Sequence, residues 1–323
     1  MKQNVLICGV SGFMGMNIAD RFLENENYDV YGIAKNVHRR PNKIDIDKFI
    51  ICDLTNQRQV SDVIKNVSPN IIIQAAATTS GVKDILNKPY LHVTDNAVMN
   101  SLLLREAYEN GVGHFMFLSC GVMYQPGDEP RKEIDYKESD EIYKSYFGVG
   151  WTKVYIEKMM EFYSRLGRTK HTVIRHSNTY GPYDKYGKEE SHMFAATIDK
   201  VMKAKDGDTI EVWGTGEETA RDLLYADDVS DFIFKALEKQ NNIYGLYNVS
   251  YGSAFTVNEI VNLIVEESGK NINIKHNTDK PIIPTKLSLD NNKAFKELDW
   301  SCKTTMTIGI KKTIEWYKNN IGK

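Results

Sequence analysis

Cysteine is scarce in this chain. The 323 residues hold Cys8, Cys52, Cys120 and Cys302 only, and no two of them form a C-x-x-C pair. That excludes the common zinc and dithiol spacings, and free thiols in a chain of this size predict a reducing, cytoplasmic setting. Long apolar runs are missing too. No stretch approaches the ~18 apolar residues of a membrane span, and the start "MKQNVLICGV" has neither the length nor the small-residue cleavage site of a signal peptide. Charge of one sign is also lacking: 41 Lys and Arg stand against 43 Asp and Glu, a net −2. Nucleic acid and membrane surfaces are therefore not expected partners, and any bound anion must be gripped locally. No repeat, low-complexity tract or proline-rich linker divides the chain. With 41% hydrophobic residues, it can bury one large core or two modest ones, and one body with a cleft is expected.

What is present is an alternation. "NVLICGV" is a short apolar run ending in glycine, as in a strand covered on both faces. "GFMGMNIADRFLEN" follows with helical spacing. "YDVYGIA", "FIICDL", "NIIIQAA", "HFMFLSC" and "HTVIRHS" read as further strands. Between them "QVSDVIKNV", "AVMNSLLLREAYENGV" and a stretch from about Val149 to Leu166 read as helices. Strand alternating with helix over ~175 residues predicts parallel pairing with right-handed crossovers. After Tyr180 the pattern changes. Helices are expected at "HMFAATIDKVMKAK", at "ADDVSDFIFKALEKQ" with Asp227 and Asp228 as caps, at "TVNEIVNLIVEESG" and at "TIGIKKTIEWYKNN", with a strand at "TIEVWG". The fold class is α/β: a Rossmann-like doubly wound parallel sheet over residues 1–176, with 219–250 packing back onto it, and a smaller α/β substrate domain over 177–323.

Gly9, Gly12 and Gly15 form G-x-x-G-x-x-G between the first strand and first helix. Such glycines allow a tight turn, close approach of a pyrophosphate, and close helix–strand packing. The helix N-terminus offers unpaired N–H groups to the phosphates. An acid at the end of the second strand would hold the ribose of NAD. Here "GIAKNVHRR" has none, and Lys35, Arg39 and Arg40 stand there instead. The cofactor is NAD(H) or NADP(H), with NADP(H) preferred. Asp53 can accept from an adenine amino group or cap the next helix.

The motifs "GVSGFMG", "CDL", "QAAA", "FLSCGVMY", "WTKVYIEK", "RHSNTYGPYD" and "RDLLYADDV" together resemble the extended short-chain dehydrogenase/reductases that act on nucleotide sugars. The pattern is most like GDP-fucose synthases and related GDP-sugar epimerase/reductases, and the likeness covers nearly the whole chain. It implies hydride transfer between a nicotinamide and C4 of a hexose or heptose, in the making of sugars for bacterial-type surface polysaccharides. It also implies a cofactor set of Gly9, Gly12, Phe13, Met14, Gly15, Lys35, Asp53, Leu54, Ala75, Ala76 and Lys153.

Family members use a Ser or Thr, a Tyr and a Lys for the hydride step, and a Cys and a His for epimerisation. Lys153 matches the lysine. The tyrosine belongs one turn earlier, where this chain has Val149, and valine moves no proton. Tyr146 could substitute only if the helix begins late and the loop before it folds back. The Ser/Thr position falls at Cys120, with Ser119 just before it. Cys120 is the hydroxyl's replacement, a displaced base, or a buried strand-end thiol with no role, and Ser119 could serve if the strand end shifts by one. His192, paired with Ser191 ahead of a helix, keeps the family's place for the epimerisation histidine. His176, after the sixth strand, is a further acid/base candidate. Asn178, Arg221 and Lys286 match positions that contact the sugar nucleotide, Arg221 gripping the pyrophosphate.

The reading is a GDP-sugar 4-dehydrogenase or 4-keto reductase, because plain hydride transfer needs one proton relay. His176, Cys120, Tyr146 or a water held by Lys153 could be that relay. A 3,5-epimerase/4-reductase using Cys120 and His192 is the alternative, and a catalytically silent cofactor- and sugar-nucleotide-binding regulator is a third. A homodimer or higher homo-oligomer is expected through the helices around 97–109 and 149–166, whose apolar residues include Leu102, Leu103, Leu104, Met159, Met160 and Phe162.

Overall fold

The computed structural model describes residues 2–36, 39–41, 44–78, 82–188 and 191–322, with only the backbone for 82–84. Val37 and His38, in the middle of the basic loop, lie outside the described residues. The strands are β1 Gln3–Cys8, β2 Tyr28–Ala34, β3 Phe49–Ile51, β4 Ile71–Gln74, β5 His114–Cys120, β6 Lys170–His176, β7 Asn178–Tyr180, β8 Thr209–Trp213, β9 Ala220–Tyr225, β10 Tyr244–Val249, β11 Ala254–Thr256, β12 Asn273–Asn277 and β13 Lys286–Leu287. The helices are α1 Phe13–Leu23, α2 Gln57–Val67, α3 Val82–Asn87, α4 Thr94–Glu109, α5 Phe147–Arg165, α6 Met193–Lys203, α7 Ala226–Lys239, α8 Val257–Ser268, α9 Asn292–Leu298 and α10 Met306–Asn320.

A seven-stranded sheet runs in the order β3, β2, β1, β4, β5, β6, β10, with every neighbouring pair parallel. Alternate side chains along each strand go to opposite faces, and the core divides accordingly. Val5, Ile7, Ile71, Ile73, Met116 and Leu118 pack with residues of α1, α7 and α9. Leu6, Cys8, Ile72, Phe115 and Phe117 pack with residues of α2, α4 and α5. Both faces are covered, which is why these strands read as unbroken apolar runs. Strand order reverses between β1 and β4, and in such sheets the crevice at the carboxyl ends is where ligands bind.

The rest of the chain builds a second layer. Parallel β7 and β13 and antiparallel β11 pair with β9, and β12 pairs with β8. Residues of α6, α8 and α10 share a separate core with Tyr180, Ile210, Val212 and Leu223. β10 leaves this region and joins the large sheet beside β6.

Some details differ from the sequence reading. The helix carrying Lys153 starts at Phe147, two residues earlier than read, with Tyr146 as its N-cap residue. Asp227 and Asp228 do not cap α7. Its N-cap is Tyr225, and the two acids lie in the first turn, where Asp227 pairs with Arg21 at 3.3 Å and Asp228 accepts from the backbone of Lys303 and Thr304. The α8 cap is as read: Thr256 and Glu259 form a reciprocal capping box. Leu103, Leu104 and Met160 are fully buried against the sheet and so cannot form an outer helix face. Among the described residues no helix is long and apolar enough to cross a membrane.

His114 and His171, at the starts of β5 and β6, make the fold acid-sensitive. Both are buried, and His114 Nε2 meets Thr172 Oγ1 at 2.7 Å. Burial lowers His114 to about 3, with Lys170 adding to the effect, and lowers His171 to about 4. Both folded values lie below the unfolded ~6.5. The imidazoles thus cost nothing above pH 6.5, and stability is lost as pH falls from there toward 4. At pH 5 the expected loss is about 2 kcal/mol per imidazole. Urea unfolding at pH 7.5 and pH 5 measures it; equal unfolding energies would contradict it.

Candidate active site

The first βα turn is shaped by its glycines. Gly9 has φ +76°, a left-handed backbone that disfavours a side chain, and a Cβ there would lie 2.6 Å from Ala76 Cα. A Cβ on Gly15 would lie 2.1 Å from the Gly9 carbonyl oxygen. Gly12 caps α1 with no side-chain hydrogen bond, and the first turn carries no acid. These features fit a dinucleotide: the first amides of α1 have no side-chain cap, and the backbone can be approached closely. Phe13 and Met14 open α1. Ala75 and Ala76 follow β4 beside Gly9, the Ala75 amide bonding to the Cys8 carbonyl at 3.1 Å.

At the far end of this groove Lys35 pairs with Asp53 at 3.0 Å. Asp53 also accepts from the Thr55 amide and hydroxyl at 3.0 and 2.7 Å. These Thr55 bonds first, then Lys35, hold its carboxyl below the usual carboxylate range. Asp53 thus shapes the turn before α2, while Asn56 is that helix's cap. Leu54 is buried beside it. Arg39 turns toward the second layer, with its guanidinium 6.0 Å from the ring of Tyr183. Tyr183 has φ +68° and donates to Asp20 at 2.7 Å, while Asn17 donates to the Pro182 carbonyl at 2.8 Å. These ties between α1 and segment 182–183 were not foreseen from sequence.

Three candidates meet at the carboxyl ends of β5 and β6. Cys120 and His176 are register partners, and parallel neighbours stand ~5 Å apart. Lys153, from α5, donates to the Leu118 carbonyl at 2.9 Å and lies 4.5 Å from the centre of the Phe117 ring. Burial lowers the Lys153 amine, with Cys120 and Glu157 opposing. Burial raises the Cys120 thiol, which Lys153 only partly offsets. His176 is lowered to about 4, first by burial and then by Lys153. All three residues are partly exposed. Val149 lies one turn before Lys153, in the register the sequence implied.

Ser119 is not with them. The strand end does not shift, and Ser119 is fully buried, donating to Glu157 at 2.6 Å. Glu157 pairs with Arg175 at 2.6 Å. Arg175 donates to the Tyr124 hydroxyl at 2.8 Å, which donates in turn to Asn248 at 2.8 Å. Sequence reading gave Glu157 no role. The signal for this network was the arginine inside the otherwise apolar run "HTVIRHS". Tyr146 also stands elsewhere, beside the guanidinium of Arg221.

Arg221 is engaged within the chain. It donates to the carbonyls of Ala220 (3.0 Å), Ile283 (3.1 Å) and Thr285, tying β9 to the segment that leads into β13. Asn178 is exposed at the start of β7. Lys286, half-exposed, has Asp128 at 3.9 Å. His192 is the N-cap residue of α6 without capping it. Burial lowers its imidazole, and the charge of Asp184 opposes the shift. Asp184 is itself buried, with one carboxylate oxygen unpartnered. The charges acting on His192 are thus Asp184 and Lys185, while Lys153 acts on His176.

The profile of the family described as "NAD dependent epimerase/dehydratase family" matches residues 5–250. The chain is 26% identical over 320 residues to the GDP-L-colitose synthase of Yersinia pseudotuberculosis, covering 98% of each. It is 26% identical over 276 residues to the GDP-L-fucose synthase of Sinorhizobium fredii, covering 83% of this chain and 85% of that one. Among solved structures, the UDP-glucose 4-epimerase of Thermotoga maritima with UDP-glucose superposes with a TM-score of 0.86 at 24% identity, covering 98% of this chain and 99% of that one. The UDP-glucose 4-epimerase of Thermus thermophilus in complex with NAD does so with a TM-score of 0.84 at 22% identity, covering 98% and 100%.

Proposed function

The chain belongs to the NAD dependent epimerase/dehydratase family, and from that premise we propose that it transfers a hydride between a nicotinamide cofactor and C4 of a GDP-linked hexose or heptose. It acts as a 4-dehydrogenase or 4-keto reductase, in the cytoplasm, supplying a sugar for a surface polysaccharide. The observation that carries this is the cluster of Cys120, Lys153 and His176 beside Val149. The cluster brings one imidazole and one thiol to Lys153 in place of the tyrosine of the hydride step, and plain hydride transfer needs only one proton relay.

When bound, the nicotinamide supplies the hydride acceptor or donor. Gly9, Gly12 and Gly15 receive the pyrophosphate, and Lys153 holds the ribose. Of the two cofactors the reading takes NADP(H), because Lys35, Arg39 and Arg40 follow β2 where NAD binders have an acid. Asn178, Arg221 and Lys286 line the sugar-nucleotide side, Arg221 by exchanging carbonyl partners for phosphate oxygens. Val98 of α4, Tyr155 and Phe162 of α5 and Leu166 just after it are exposed, and a second copy covers them in a homodimer or higher homo-oligomer.

A second reading, 3,5-epimerase/4-reductase, is favoured by the place of His192 and by the names of the relatives. Incubation with GDP-mannose and oxidised cofactor, or a 4-keto derivative of GDP-mannose and reduced cofactor, tests both. Nicotinamide absorbance is expected to change without solvent deuterium entering C3 or C5. Deuterium at those carbons selects the second reading. No absorbance change with bound cofactor sinks both and leaves a silent binding role. Titration with NAD+ and NADP+ decides the cofactor, and a sedimentation mass of 36.9 kDa, that of one chain, would remove the assembly.

A further inference from the structure

We propose that His176 replaces the missing tyrosine, its Nε2 exchanging the C4 hydroxyl proton of the substrate. This rests on the hydride-transfer reading above and names the group that completes it.

The structure removes the other side-chain candidates in turn and leaves a water held by Lys153 as a rival for the test below. The Ser119 hydroxyl is donated to buried Glu157. Tyr146 precedes α5 and stands beside Arg221, seven residues and ~10 Å of helix rise from Lys153. Cys120 lies in the cluster, but a thiol raised by burial stays protonated and is a poor proton acceptor.

His176 has the required geometry. It is the last residue of β6, in register with Cys120 on one side and with Val249 on the other. Its Nδ1 meets the Ser177 carbonyl at 2.7 Å. A carbonyl only accepts, so Nδ1 carries the proton and Nε2 keeps its lone pair. Among the described residues no hydrogen bond engages Nε2, and His176 is partly exposed. The charged and titratable groups around the ring are Lys153 from α5, the Cys120 thiol from β5, and Asp222 of β9, which lies against Ser177. β10 contributes only apolar Val249. Lys153 and burial keep the ring neutral at physiological pH, the form that accepts a proton.

The step balances with the oxidised nicotinamide as electron acceptor. The C4 hydrogen leaves as hydride to the nicotinamide, the hydroxyl O–H bond breaks, and its electron pair forms the C4 carbonyl. The proton goes to Nε2. In reduction each transfer runs backwards, and the imidazolium returns the proton to the C4 oxygen.

His176→Asn tests this, because the asparagine amide can keep the bond to Ser177 while removing Nε2. Turnover of GDP-mannose with oxidised cofactor, or of its 4-keto derivative with reduced cofactor, is expected to fall roughly 100- to 1,000-fold. Cofactor Kd and the unfolding midpoint should stay unchanged. With ring-15N histidine, the signal absent from His176→Asn is expected to show protonated Nδ1 and bare Nε2 at pH 7. Turnover of the variant within threefold of the parent overturns the proposal and leaves the hydride reading standing, as does a protonated Nε2 at pH 7. No turnover by the parent chain in either direction overturns the hydride reading and this assignment with it.

Discussion

Glu157→Gln is expected to lower stability by about 3–5 kcal/mol, because it leaves a buried guanidinium without its counter-charge. Arg175 and Glu157 have side chains only 5% and 4% exposed and meet at 2.6 Å. Burial alone would push the guanidinium's pKa down, but Glu157 and Tyr124 reverse this and hold it charged. The pair joins β5, β6, α5 and β10 through Ser119, Tyr124 and Asn248. The thermal midpoint should fall by roughly 10 °C. Replacing both residues by methionine should recover much of the loss, since an apolar pair needs no partner. A midpoint for Glu157→Gln within 2 °C of the parent would show that the network contributes little.

Gly15→Ala is expected to weaken cofactor binding by roughly 100-fold or more through displacement of the loop. The new Cβ would lie 2.1 Å from the Gly9 oxygen, 2.7 Å from the Gly9 carbonyl carbon and 2.8 Å from Val10 Cα. All three are backbone atoms, so the first turn of α1 or the loop must move. Gly12→Ala is the control. Its Cβ has one close neighbour, the Gly9 oxygen at 3.1 Å, and its φ of −81° suits alanine. The loop is expected to stay in place there, so any loss of affinity reports the new Cβ at the pyrophosphate and not a displaced backbone. Fluorescence titration with the nicotinamide cofactor measures both, and equal affinity in Gly15→Ala and the parent would contradict the packing argument.

Much of the fold was legible because its determinants are local. The apolar runs of β1, β4 and β5 report burial on both faces, and Gly12 and Gly15 meet their constraints within a few residues of themselves, whereas Gly9 meets Ala76 across the sheet. The lysine register was legible for the same reason: Val149 and Lys153 lie one turn apart on a single helix. The edge strand β10 was less visible, since its neighbour β6 is ~70 residues earlier.

The site divides along the same line. By itself the sequence determined that a glycine loop faces a helix N-terminus, that Lys153 sits one turn after a valine, and that Ser119, Cys120, Tyr146 and His176 are candidates to carry a proton. Only the tertiary structure decided where each of them stands. Ser119 is committed to Glu157, Tyr146 stands with Arg221, and Cys120, Lys153 and His176 converge. That outcome depends on the pairing of β5 with β6 and on where α5 crosses them. These are contacts between segments far apart in the chain, set by packing of the whole sheet, and no local spacing encodes them.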